Sequence, residues 1–183
     1  MVIGNQSSGR EARIQVNSTK IANHKSQIAN WTPAILWAGL ILLASSDWFS
    51  AAHTRSIIEG FFWWLFPSWT PYSIYKAHLM VRKCAHFFEY AVLAIFVMRG
   101  FERNQTQGPS TRVRRGERSL RMTMLSVVLL CAMVATIDEV HQHFVPSRTG
   151  SPYDVLLDTT GSTVAMLLLT WRASSRTVER RTT

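Results

Sequence analysis

The chain has 183 residues, 47% of them hydrophobic and 17% charged, with a formal net charge of +9. Its length suits one domain, but its apolar residues gather in blocks instead of interleaving with polar ones, which excludes an ordinary soluble domain. The basic residues flank those blocks, so they report membrane topology and contact with anionic lipid, and a nucleic-acid partner is excluded.

Residues 1–30 are polar and mildly basic, with Arg10, Arg13, Lys20 and Lys25, and read as a flexible cytoplasmic tail. The first apolar block, about Trp31 to Phe49, puts Pro33 in the first helical turn and Trp31 and Trp48 at the two interfaces. Ala44-Ser45-Ser46 resembles a signal-peptide cleavage site, but the long polar leader and the aromatic anchors favour a retained helix. Residues 50–82 form a longer connection. Its run FFWWLFPSWTPY (Phe61 to Tyr72) is too short and too rich in Pro and Trp to span a bilayer, which takes about 20 residues of helix. That run reads as an interfacial or re-entrant segment, with an aromatic plug packed on the bundle as the alternative.

The second block, Cys84 to Phe101, opens on Arg82-Lys83-Cys84-Ala85-His86-Phe87-Phe88-Glu89-Tyr90. Residues 102–121 follow, with Arg103, Arg112, Arg114, Arg115, Arg118 and Arg121, and Gly108-Pro109 marks an irregular loop. The third block, Met122 to Ile137, ends in Asp138-Glu139-Val140-His141-Gln142-His143-Phe144. A short connection with Pro146, Gly150 and Pro152 leads to the fourth block, roughly Asp154 to Trp171. The 172–183 tail is basic again, with Arg172, Arg176, Arg180 and Arg181. Cys84 and Cys131 lie inside apolar blocks without a CxxC partner and read as small core residues.

The expected fold is all-α: a polytopic bundle of four transmembrane helices over residues 31–171, with an interfacial helix between the first two. The positive-inside bias places the arginine-rich 102–121 loop in the cytoplasm, and four spans bring both basic termini to the same side of the inner membrane. The connection between spans three and four carries only Arg148, as an outside loop should.

This topology brings polar residues from every helix to one outer level. Ser45, Ser46 and Asp47 end the first helix, and Lys83, His86 and Glu89 or Tyr90 share a face at the start of the second. Asp138 and Gln142 share a face at the end of the third, as do Glu139 and His143. Asp154, Asp158, Gly161 and Ala165 form a stripe on the fourth, whose small residues would let another helix approach closely. Each ionisable group in a membrane helix costs about 2.5–3.5 kcal/mol at the helix centre and less toward the interface, so several together imply pairing or function.

As a ligand site, the set is Lys83, His86, Glu89, Asp138, Glu139, Gln142, Arg148, Asp154 and Asp158. Arg148, in a loop of Ser, Thr and Gly, is placed to hold a phosphate or carboxylate headgroup or to pair with Asp154. As a catalytic site, the candidates are Glu89, flanked by aromatic residues and suited to acid/base work, His86 as a proton relay, Asp138 and Glu139. His86, Glu89, Asp138 and Asp158 have suitable donors for a divalent cation, but no HExxH or comparably tight motif exists, so neither metal nor cofactor is expected. His141 and His143 read as interfacial polar residues. As pure structure, Arg82, Lys83 and Arg148 would staple the helices against Glu89, Asp138, Glu139, Asp154 and Asp158. An ion pathway is disfavoured, since few charges lie deep and no broken-helix repeat is present.

At these strings the chain resembles the VanZ-like family of membrane proteins associated with teicoplanin resistance. The motifs are Arg82 to Tyr90, Asp138 to Arg148 (DEVHQHFVPSR), and Asp154-Val155 with Asp158-Thr159-Thr160-Gly161, together with the serines Ser45-Ser46; the match covers about residues 31–171. The family commonly has Asn beside the helix-four Gly, where this chain has Asp158, Thr159 and Thr160. The resemblance implies an integral membrane protein, one that lowers susceptibility to glycopeptide antibiotics or acts in envelope biology. Its partners would be the lipid bilayer and, in an outward-facing polar pocket, an envelope lipid, a peptidoglycan precursor or a glycopeptide. An enzyme acting on a lipid-linked or cell-wall substrate is the alternative.

Overall fold

The computed structural model describes residue 15 and residues 27–46, 51–106, 117–145 and 150–182. These form helices and no strand: α1 (Gln27–Ala44), then α2 (Ala51–Leu65), α3 (Pro71–Thr106), α4 (Glu117–His143) and α5 (Pro152–Thr182). The second, third and fourth apolar blocks are helical, the first is helical as far as Ala44, and α2 is the extra helix between the first two.

Turn chemistry makes some of these helices longer than the apolar blocks. Thr70 caps α3: its Oγ1 accepts from the Ser73 N–H at 3.3 Å, its carbonyl accepts from Ile74 N–H at 3.1 Å, and Pro71 takes the first helical position. No Pro or Gly then interrupts the chain before Gly100, so residues 71–82, expected as connection, are the first turns of a 36-residue helix. The aromatic run is therefore divided. Phe61–Leu65 closes α2, Phe66 stacks on Trp69 at 4.2 Å in the turn, and Pro71-Tyr72 opens α3. On α5, Ser151 is the cap and Pro152 the first position, with Tyr153 N–H donating to Ser151 Oγ at 3.3 Å. The basic tail expected after residue 171 continues as helix to Thr182.

By length and composition, α1, α3 over Pro71–Asn104 and α4 over Leu120–His143 can cross a membrane. The fourth expected span, α5, does not join them on that criterion. Asp154, Asp158, Thr159, Thr160, Ser162 and Thr163 dilute its apolar stretch. It is nevertheless central to the packing, lying mainly against α3 and then α4.

The close α3–α5 approach has a visible cause. A Cβ added to Gly161 would stand 2.3 Å from the carbonyl oxygen of Phe87, so any side chain there collides with backbone. Below that crossing the core is apolar: Ile41 from α1, Leu93, Ala94 and Val97 from α3, Val127, Cys131 and Ala135 from α4, and Ala165 and Met166 from α5. Trp37 of α1 donates its indole N–H to the Glu89 carbonyl of α3 at 2.9 Å, fastening the first helix. The outward faces are apolar too. Leu36, Leu40 and Leu43, Leu125, Leu129 and Met133, and Leu156, Leu167 and Leu168 are all exposed, far more apolar surface than water tolerates and a fitting surface for lipid.

Candidate functional site

Following the buried face of α4 upward, the residues are Val127, Cys131, Ala135, Asp138 and Gln142. One stripe thus changes from apolar to polar within a turn. The same change occurs on the neighbours: from Leu93 to Tyr90 on α3, from Ile41 to Ser45 on α1, and from Ala165 through Ser162 to Asp158 on α5. The four faces meet, so the polar ends form one buried cluster.

Asp138 is fully buried, and its Oδ2 accepts from Ser45 Oγ and from Gln142 Nε2, both at 2.9 Å. Gln142 also donates to Ser45 Oγ at 3.3 Å, closing a small α1–α4 network. Glu139, on the adjacent face, is 6% exposed and accepts the Ser151 backbone N–H at 2.7 Å. Gly150 permits this junction: a Cβ there would lie 2.5 Å from the Glu139 carbonyl. Asp158 is fully buried one turn beyond Asp154, within electrostatic range of Glu139, Asp138, Asp154 and Glu89. Tyr90 is fully buried within range of the same cluster.

Hydrogen bonding does not use all of these groups. Asp138 Oδ1, both carboxylate oxygens of Asp158 and the Tyr90 hydroxyl are buried with no hydrogen-bond partner among the described residues. Buried polar atoms are nearly always bonded, because an unsatisfied one costs about 1–3 kcal/mol. Nor does either aspartate face a cation within ion-pair distance among the described residues. The charge pairing lies higher, at the rim. Lys83 pairs with Asp154 at 2.5 Å, joining α3 to α5, with side chains 52% and 27% exposed. His86 Nδ1 stands 3.8 Å from Glu89 Oε2 on the same helix.

Of the residues expected in the site, Asp138, Glu139, Gln142 and Asp158 form the buried floor, and Lys83, His86, Glu89 and Asp154 stand above it. Arg148 lies outside the described residues, as do Asp47 and residues 107–116. His141 and His143 are exposed, and Cys131 is a core residue, whereas Cys84, expected in the core, is exposed. Among the described residues no three His, Cys, Asp or Glu side chains are arranged to hold a metal ion. Two participants were not in the expected set. Tyr90 lies at i+4 from His86 and i+7 from Lys83, and this helical register was the signal for it. Ser45 was legible only as a residue at the right level.

Outer faces suited to lipid around a helical core, closed at one end by a buried acidic cluster, define an all-helical membrane protein. The model of the VanZ/LLP1 family matches residues 30–173, and the chain belongs to that family. No curated protein and no solved structure matches it.

Proposed function

We propose that this VanZ-family protein crosses the inner membrane four times, with both termini cytoplasmic, and that its acidic end is an outward-facing pocket for a donor-rich envelope ligand. Arginines in the 102–121 and 172–183 segments and the basic N-terminal segment support the orientation. Exposed Leu156, Leu167 and Leu168 on α5, together with its packing on α3 and α4, support the fourth span.

Asp158 carries the site reading. A carboxylate that is fully buried, lacks a bond at both oxygens and faces no cation among the described residues is not a staple. Ionisable groups in membrane helices mark functional sites by default. The unsatisfied atoms of Asp158, Asp138 and Tyr90 are acceptors, with the phenol also a donor, and together they suit hydroxyl, amide and ammonium groups. The sugar–peptide part of a peptidoglycan precursor, a glycopeptide antibiotic, and an amino or hydroxyl lipid headgroup all offer these; a bare phosphate is repelled. Binding at the outer face would alter susceptibility by holding the drug or its target.

Titration of the full chain in detergent with teicoplanin, and separately with a lipid-linked peptidoglycan precursor, should raise the melting temperature with at least one probe. Asp158→Asn should stay folded and lose that rise. No rise with either probe, or an equal rise in the variant, contradicts the reading. The enzymatic alternative rests on the His86–Glu89 pair and requires that the precursor be chemically changed by the wild type and left intact by Glu89→Gln.

A further inference from the structure

Opposite the acidic cluster, roughly 20 Å along the helices, the ends of α3, α4 and α5 enclose a groove of about 460 Å³. Its wall is apolar and rich in methionine, with Met98, Met124 and Met166 beside Ile95, Leu120 and Leu169. Methionine side chains are unbranched and flexible, so they adapt to a chain-like occupant. Two hydroxyls border the groove, but both are engaged within α5. Thr170 donates to the Met166 or Leu167 carbonyl, at 3.1 and 2.9 Å, and Ser174 donates to the Thr170 carbonyl at 3.0 Å. They present mostly carbon surface to an occupant.

The rim has the opposite character. Arg99 lines the groove, is exposed, and makes no ion pair or hydrogen bond through its side chain among the described residues. Arg103, Arg121 and Arg172 are exposed in the same turns, against the single acidic lining residue Glu102. Trp171, 67% exposed, follows Thr170 on α5, and Trp31 packs edge-on to Phe101 at 5.0 Å at the same end of α3. Tryptophan belts of this kind mark the level where acyl chains meet headgroups. The groove therefore has an apolar interior, a basic mouth and an interfacial position.

We infer that this groove is a specific site for one anionic phospholipid, which lays an acyl chain against the methionine wall and its headgroup phosphate at Arg99. A zwitterionic lipid meets the same wall but carries its own cation to the basic rim, so it binds less well. The inference needs only the family's membrane setting. It is independent of the acidic pocket and of which face of the membrane the groove occupies.

Native mass spectrometry tests it on the full chain in mild detergent, titrated with phosphatidylglycerol or with phosphatidylcholine of matched chains. Wild type should retain one phosphatidylglycerol, preferred about fivefold or more over phosphatidylcholine, the effect of one basic residue at an anionic surface. Arg99→Gln, an exposed change, should markedly reduce that preference. Ala173→Trp, which fills the groove from an exposed position, should remove the retained lipid. Lys76→Gln, at the other end of α3, should change neither. Equal retention of both lipids by wild type, undiminished preference in Arg99→Gln, or an undiminished adduct in Ala173→Trp would overturn the proposal.

Discussion

At one end of this bundle the buried faces carry Ser45, Tyr90, Asp138, Gln142 and Asp158; at the other, the same faces carry Leu93, Val97, Val127 and Met166, and the charges stand outside. The backbone architecture is continuous through both, so the contrast lies in the side chains. The apolar half stabilises by close packing. The acidic half buries both oxygens of Asp158 and one of Asp138 where nothing within the described residues satisfies them, which opposes stability and is the ground for the proposed binding role. Asp154 and Asp158 show the contrast within a single turn of α5: the first is 27% exposed and paired with Lys83, the second is buried and unpaired among the described residues.

The comparison can be broken or sharpened by substitution, beginning with the largest effect. Leu93→Ala, in the apolar half, should lower stability by about 2–5 kcal/mol, as a buried leucine leaves a cavity; a thermal melt in detergent measures it. Gly161→Ala, where the two halves meet, should cost about 1–3 kcal/mol by forcing α5 from the Phe87 carbonyl, read as loss of monodisperse folded protein. Ser45→Ala removes one donor to Asp138 and should cost about 0.5–1.5 kcal/mol, since the Gln142 bond remains. Lys83→Gln should matter least to stability, about 0–1 kcal/mol, because its pair with Asp154 is half-exposed; its effect should shrink further as salt is added.

Much of this was legible before any coordinates. The apolar blocks could be read as helices because a helix satisfies its own backbone in an apolar medium, and charge order along the chain was enough to bring Asp138, Glu139 and Asp158 to one level. The 71–82 turns were hidden by an aromatic run whose prolines read as a loop, whereas Pro71 in fact starts the helix. Glu139 was placed with His143 on a face of its own. The structure buries Glu139 and exposes His143, because the chain around Gly150 and Ser151 closes over the first and not the second. Which polar atoms go unsatisfied was beyond any pattern: Asp154 and Asp158 are alike in sequence, and only their neighbours separate them.

The central claim is that Asp158 serves binding and not folding, and Asp158→Leu tests it most directly. Leucine keeps the branched outline of aspartate and removes a buried carboxyl group that has no partner among the described residues. The variant should melt at or above the wild-type temperature while losing the stabilisation that teicoplanin or the lipid-linked precursor confers on the wild type. A variant that fails to fold, or that melts well below wild type, would show that Asp158 holds the helices together and would contradict the account.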